Sequence, residues 1–307
     1  MALLEAPLGP PLILGEVLLD CFPDRVVLGG AALNVAWNLK GLGLDPLLIS
    51  RIGQDEAAEQ VLRALRRQGL RLEGLQRDPA HPTGQVQVTL DREGIPTFVI
   101  LPEQAYDFIE LDPAVLRAFQ PSLLYRGSLA ARQESAHRHF QEAILALGCP
   151  VFLDLNLRDP WWHPGPIREM LRTCTWLKLN QAELEQVVQL EGIPGGEVVE
   201  QGQLLRAQLG LKGLFLTLGA AGAFLFTAER VYWAEAVPAL RLVDTVGAGD
   251  GFSAVAILGL LRRWPEAVLL QRAVEFAAAI CEVAGGAPQD PEFYCPFRQR
   301  WGLSPSP

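Results

Sequence analysis

One pattern recurs along this chain: an apolar run of strand length, a break, then apolar residues at helical spacing. "PLLISRIG" precedes "DEAAEQVLRALRRQGL", "SLLYRGS" precedes "ARQESAHRHFQEAILALG", "PVFLDLNLR" precedes "PIREMLRTC", and "TWLKLN" precedes "QAELEQVVQLEG". Strands buried on both faces read as continuous apolar runs, and the helices between them must cover those faces. The alternation therefore predicts an α/β fold, a parallel sheet with helices on both sides. Helix ends are marked as well. Asp55 stands near one start with Gly69 past its end, and Gly41 and Gly43 close "AALNVAWNLKGLG". Further on, "LKGLFLTLG" leads into a short hairpin, "AGAFLFTAERVYWAEA", and two apolar helices follow, the second being "LLQRAVEFAAAICEVAGG".

Two stretches break the pattern. "GQVQVTLDREGIPTFVI" alternates apolar and polar residues, turns at "DREG" and resumes, as an antiparallel hairpin with one exposed face does. "PLILGEVLLDCF" reads as a buried strand followed by a partly alternating one. Residues about 17–28 and 83–106 are thus expected to form a small flap outside the main sheet. No repeat or long linker divides the chain, so residues 1–307 are read as one domain.

Composition narrows the function. Half the residues are hydrophobic and 20 % are charged, which suits a large core and not a disordered chain. A net charge of −9 without a Lys/Arg block argues against nucleic-acid binding, but not against a small anion held by helix N-termini. "MALLEAPLGPPLILGE" has no basic start and is broken by prolines, so it makes a poor signal peptide. Apolar runs such as "AVAILGLL" fall short of the ~20 residues that span a bilayer. The five cysteines are scattered, odd in number and without C-x-x-C, as reduced thiols in a cytoplasmic protein would be.

The chemistry concentrates in "VDTVGAGDGFSAVAIL". In an α/β sheet, ligands sit where strand ends pass through loops into helices. Gly247, Ala248 and Gly249 lie at such a place, where bare backbone N–H groups and a helix dipole make an anion hole. Asp250 follows. A carboxylate repels a phosphate, yet it belongs there if it takes a proton from a hydroxyl while the hole holds the charge in transfer. The plainer alternative is a glycine turn with Asp250 as helix cap. A dinucleotide-binding reading fails, because "GAGDG" lacks the G-x-G-x-x-G spacing.

"DTVGAGD" resembles the D-T-x-G-A-G-D signature of the ribokinase-like (PfkB) carbohydrate kinases. "GGAALNVAWNLKGLG", "LDLNLR", "LKLNQAE" and "LTLGAAG" resemble that family's other motifs, in the same order and over nearly the whole chain. The resemblance implies a Rossmann-like domain with a small β-sheet lid, and transfer of the γ-phosphoryl group of ATP to a sugar hydroxymethyl group. Asp250 falls on the family's catalytic base, and Gly247, Ala248 and Gly249 on its anion hole. Asp20, Gly30 and Asn34 fall on sugar-binding positions, and Asp244 on an acid that helps bind a monovalent cation, K⁺ being the candidate. Taken alone, Asp20 is a strand-end acid and Asn34 a helix-surface amide.

The remaining motifs have double readings. Asn180 followed by Glu183 is close to a capping box, and the family's N-x-x-E also organises Mg²⁺ through water. Lys178 is open between solvent and phosphate. Strand alternation puts Asp154, Asn156 and Arg158 on one side, with Arg158 either clamping phosphate or substrate, or pairing with Asp154. Thr217, Gly219 and Gly222 match nucleotide-loop positions or simply form a hairpin turn, and "FAAAICEVAGGA" is expected to wall the adenine. Trp161 and Trp162 are read as packing. The family's G-x-D-x-x-G becomes "GQDEAA", with Ala58 for the last glycine.

The sugar rests on finer detail. Ala31-Ala32 after the glycine pair, "RGSLAARQES", "LNLRDPWW" and "AYDFI" look like fructokinase stretches. Fructokinase is the favoured reading, with a 2-keto-3-deoxygluconate kinase or another sugar or nucleoside kinase as runner-up. A family member that has lost catalysis and serves as a regulator is the alternative of another class. The partners expected are a sugar and ATP, with no nucleic acid or membrane, and an open lid edge invites a homodimer.

Overall fold

In the computed structural model, which describes residues 9–90, 96–239 and 241–303, the alternation becomes two sheets. The chain runs β1 (Leu12–Leu14), β2 (Leu18–Cys21), β3 (Val26–Gly29), α1 (Ala31–Gly41), β4 (Leu47–Ile52), α2 (Glu56–Gln68), β5 (Leu75–Arg77), β6 (Gly84–Leu90) and β7 (Pro96–Ile100). It continues through α3 (Pro113–Ala118), β8 (Leu124–Arg126), α4 (Glu134–Leu147), β9 (Val151–Asp154), α5 (Pro164–Thr173), β10 (Trp176–Asn180), α6 (Gln181–Leu190) and α7 (Val198–Gln208). It ends with β11 (Gly213–Thr217), β12 (Gly222–Phe226), β13 (Val231–Glu235), α8 (Ala248–Leu261), α9 (Glu266–Ile280) and α10 (Cys295–Trp301).

The main sheet has the order β13-β12-β11-β10-β9-β8-β1-β4-β5. Its strands are parallel except for the hairpin edge of β12 and β13. Buried side chains form two layers, one on each face of this sheet. Helix α2 shows how locally the sequence acts. Asp55 caps it by accepting from the Ala58 N–H at 2.8 Å, acids occupy its first turn and arginines its last, and Gly69 closes it in the left-handed conformation. The alternation does not signal α3, α7 or α10. These are short, or carry a glycine as α7 does at Gly202, which is seated against the Phe226 ring. No helix among the described residues is long and apolar enough to cross a membrane.

The small sheet has the order β3-β2-β6-β7. Val86 and Val88 turn inward while Gln87 and Thr89 face outward, as the period of two requires. The sheet is mixed and not wholly antiparallel, since β2 and β6 pair in parallel. Each follows a parallel strand of the main sheet, β1 and β5, so both enter heading the same way. The expected "DREG" turn lies outside the described residues. Residues 101–106, read with the flap, lie beyond its last strand, and Tyr106 is fully buried.

Strand order reverses between β1 and β8, where successive strands diverge to opposite edges. The crevice beyond the C-terminal ends of such strands is where open α/β sheets bind ligands. Four aromatic rings step from the sheet to α8. Tyr125 lies 6.2 Å from Phe152, which lies 5.8 Å from Phe215, which meets Phe252 edge-on at 5.9 Å. This ladder seats the start of α8 over that crevice.

Candidate active site

Two helix N-termini meet at the crevice, each entered through a glycine with positive φ. Gly247 (φ 78°) precedes α8, and a Cβ there would fall 2.1 Å from the Gly286 Cα. Gly30 (φ 104°) precedes α1, and a Cβ there would fall 2.4 Å from the Glu16 carbonyl oxygen. Backbone approach and conformation both demand glycine. Neither helix has a side-chain cap at its entry residue, so the positive ends of both dipoles face the same space.

Asp250 is the third residue of α8, yet it does not cap that helix. Its Oδ2 accepts a 2.7 Å hydrogen bond from Asn34 Nδ2 on α1. This overturns the plainer reading of Asp250 as a cap. Burial pushes its carboxyl up to about 7, the charge of Asp154 adds to that, and the Asn34 hydrogen bond and Lys178 offset part of it. A carboxyl with that affinity takes up and releases a proton near neutral pH. Asn34 is almost fully buried, and its Oδ1 has no hydrogen-bond partner among the described residues.

Beneath Asp250 lies a layer of charge. Asp154 ends β9 and Lys178 stands directly opposite it on β10. Lys178 Nζ donates to both Asp154 oxygens, at 2.9 and 3.1 Å, and Ser253 Oγ of α8 donates to Asp154 Oδ2 at 2.8 Å. Burial alone would lower the Lys178 ammonium, but the Asp154 and Glu183 charges outweigh it and raise it. Glu16, in the turn after β1, accepts from the Ala31 N–H at 2.9 Å and so holds the start of α1, while burial raises its carboxyl. Sequence reasoning missed Glu16 and Ser253 as site residues and left Lys178 undecided. An acid one glycine beyond the buried "LIL" strand was the available signal for Glu16.

Asp20 lies on the small sheet at the mouth of the crevice, over Gly29, whose Cβ would fall 2.5 Å from Asp20 Oδ2. Burial pushes its carboxyl up to about 6, helped by Asp244 and opposed by Arg158. Arg158 is exposed and acts on both Asp20 and Glu16. The expectation that Asp154, Asn156 and Arg158 share one side of a strand is corrected. The strand ends at Asp154, and Asn156 has φ 45°, which breaks the alternation. Asp154 pairs with Lys178 and not with Arg158. Asp244 accepts from the Val246 N–H at 3.0 Å and the Gly285 N–H at 3.2 Å, which ties the approach to α8 to the loop after α9.

The α6 entry carries a complete capping box. Asn180 accepts from the Glu183 N–H, Glu183 Oε2 accepts from the Asn180 N–H, and Glu183 Oε1 accepts from the Leu157 N–H, each at 2.9 Å. Both Glu183 oxygens are therefore engaged by backbone, with lone pairs left over. Among the described residues no three His, Cys, Asp or Glu side chains cluster as a metal cage. Thr217 ends β11, and Gly219 to Ala221 turn the chain into β12. Gly219 faces open space, whereas a Cβ on Gly222 would lie 2.2 Å from the Ala234 carbonyl oxygen, so packing explains that glycine.

The three fructokinase-like stretches converge. Arg132 clamps Asp107 through Nε (2.7 Å) and Nη2 (2.6 Å), and Nη2 also reaches the Leu101 carbonyl at the end of the small sheet at 2.7 Å. Its guanidinium lies between Trp161 (4.3 Å) and Tyr106 (5.2 Å). Trp161 and Trp162, read as packing, do pack against the core, and in addition Trp161 stacks on the Arg132 cation and Trp162 Nε1 donates to Asp159. A cavity of about 250 Å³ opens beside Arg132, between Glu103 and His163.

The chain is similar to known kinases in sequence and in fold. The chain is 31% identical over 262 residues to a fructokinase of Klebsiella pneumoniae, covering 81% of this chain and 83% of that one. It superposes on a fructokinase of Xylella fastidiosa, solved with bound ATP, with a TM-score of 0.82 at 19% identity, covering 95% and 99% of the two chains. A Burkholderia thailandensis nucleoside kinase in complex with inosine has a TM-score of 0.80 at 22% identity, covering 96% and 100%. A family model for the pfkB family of carbohydrate kinases matches residues 15–292, so this chain belongs to that family and is a phosphotransferase with an alcohol group as acceptor.

Proposed function

We propose that the protein is a fructokinase that moves the γ-phosphoryl group of ATP to a hydroxymethyl group of fructose. The Asn34–Asp250 bond carries this reading, because it joins a sugar-binding position to a base of near-neutral proton affinity where two helix N-termini meet. Asp250 takes the hydroxyl proton as the acceptor oxygen attacks phosphorus and the bond to the departing ADP breaks. The helix entry at Gly247 to Gly249 faces the migrating phosphoryl, with the Ala248 N–H turned to the Thr245 carbonyl at 3.3 Å, so the charge in transfer meets the dipole of α8. Asp20, Asn34, Gly30 and Arg158 read the sugar. Asn180, Thr217, Gly219 and Gly222 border the nucleotide.

Glu183 would hold Mg²⁺ through water, and the ion would supply charge neutralisation to the phosphates. Asp244 retains lone pairs for a monovalent cation, and stimulation of turnover by K⁺ over Na⁺ tests that role. The open edge of β7, with Phe98 and Val99 exposed, suits pairing with a second copy through the small sheet, which then serves as a lid. The five unpaired cysteines suit the reducing cytoplasm.

A panel of fructose, ribose, 2-keto-3-deoxygluconate and adenosine, assayed for ADP release, tests the substrate. The highest kcat/KM is expected on fructose. A higher value on another member assigns that substrate instead, and no turnover on any with ATP still bound points to a regulatory member. Asp20→Ala should lower kcat/KM for the sugar by about 10–100-fold, as losing a hydrogen bond to a charged group does, while ATP affinity without sugar stays unchanged.

A further inference from the structure

Lys178 has a place that neither the capping box nor the nucleotide loop explains. It is 6% exposed, and its ammonium is directed at Asp154. A Cβ built on Gly249 would meet Lys178 Nζ at 2.9 Å, so the ammonium lies directly behind the glycine at the opening of α8. Asp154 is in turn fixed by Ser253, one turn further along the same helix. A cation thus backs the anion hole from inside the protein, and its counter-ion is built into the sheet and not borrowed from solvent.

Resting on the reading of Asp250 as base, we propose that Lys178, held by Asp154 and Ser253, is a positioning residue that gives the anion hole a fixed positive backing and sets the protonation of Asp250. The groups that face Asp250 are few. Asn34 of α1 donates to it, Lys178 of β10 favours its ionised form, and Asp154 of β9 and Glu16 after β1 oppose that form. Tyr125 of β8 brings a buried hydroxyl with no partner among the described residues, held neutral by burial and by the surrounding carboxylates. With one cation against two anions, removing either member of the Lys178–Asp154 pair tips the balance, in opposite directions. Lys178, Asp154 and Glu16 are all buried, where screening by salt is weak.

The acid limb of the pH profile of kcat/KM tests this. Lys178→Met removes the cation, so the limb moves to higher pH by on the order of one unit, with kcat at the optimum down about tenfold or more. Asp154→Asn removes an anion, so the limb moves to lower pH. Either single variant leaves a buried charge alone and risks unfolding. The double variant Lys178→Met/Asp154→Asn leaves none, and it should fold, by circular dichroism and Tm, while kcat stays down at least about tenfold. A merely structural pair predicts the reverse: a double variant with wild-type kcat, or a Lys178→Met limb that stays put or moves to lower pH. Either result overturns the proposal. Asp250→Asn, assayed in parallel, separates the two levels. If it is inactive while the Lys178→Met limb does not move, only the role of Lys178 fails. If it keeps wild-type kcat, the base assignment fails first.

Discussion

Helices α6 and α8 begin alike and end up doing different work. Both leave the C-terminal end of the main sheet region, and both carry an acid as their third residue, Glu183 in one and Asp250 in the other. Glu183 folds back onto its own entry residue, because Asn180 at that entry offers and receives the reciprocal bonds of a capping box. Asp250 has Gly247 at the entry, with no side chain to close the box and a backbone pressed against Gly286. Its carboxylate is left to reach Asn34, 216 residues away in sequence. The entry residue, more than the acid, decides whether such a carboxylate bonds back to its own helix entry or reaches across the fold.

The largest expected difference is in turnover. Asp250→Asn keeps size and the bond from Asn34 but removes the proton acceptor, so kcat should fall at least about a hundredfold in a protein that folds and binds both substrates. Turnover close to wild type would erase the distinction between the two helices. Gly247→Ser attempts to give α8 the cap that α6 has. The new Cβ meets Gly286 in a left-handed backbone, so stability should drop by about 2–3 kcal/mol by denaturant titration, with no capping gain. A more stable variant would show that the entry can relax. Glu183→Ala should cost about 1–2 kcal/mol, since two backbone N–H groups lose their acceptor. If Glu183 also orders the waters of Mg²⁺, the variant's demand for Mg²⁺ in the assay rises as well; a purely structural Glu183 changes Tm alone.

The same contrast explains what was readable in the sequence. The capping box is a short-range object, so "NQAE" announces it in full. The alternation of apolar runs announces the sheet, and the period of two in "GQVQVTL" announces the second sheet, because both are local consequences of burial. "DTVGAGD" announces a helix entered through glycine, which the fold has at Gly247. What stayed hidden is what pairs across the fold. Lys178 meets Asp154 at a separation of 24 residues and Ser253 meets it at 99, and nothing local in "WLKLN" or "GFSAV" points to either. Asn156 was misplaced for a local reason of another kind: its left-handed backbone ends the alternation two residues early, in a stretch whose residue types still read as strand. Tyr106, Arg132 and Trp161 were each visible as fructokinase-like, but only the fold shows that they form one stack beside the small sheet.

The smallest expected effect concerns stability, and it sharpens the contrast most directly, because an acid satisfied by backbone and an acid kept for proton transfer respond differently to neutralisation. The folded protein raises Asp250 from 3.8 to about 7. Below about 3.8 the group is protonated in both the folded and unfolded chains. As pH rises, the unfolded chain releases its proton first, and the stability contributed by the protonated folded form is lost progressively until pH passes about 7. Above that the ionised carboxylate sits in its poorly hydrated place at a cost. Asp250→Asn never ionises and escapes that loss, so it should be more stable than the wild type, with a gap that widens from pH 5 to pH 8 and reaches about 2 °C or more in Tm. Asp20, raised to about 6, has the same sign but is present in both proteins and cancels in the difference. Paired melts at the two pH values measure it. A gap that is flat with pH would mean that Asp250 ionises as an ordinary carboxylate, and the near-neutral acid limb of activity would then need another owner. A gap that widens while kcat collapses would place at one residue the trade of stability for function that active sites make.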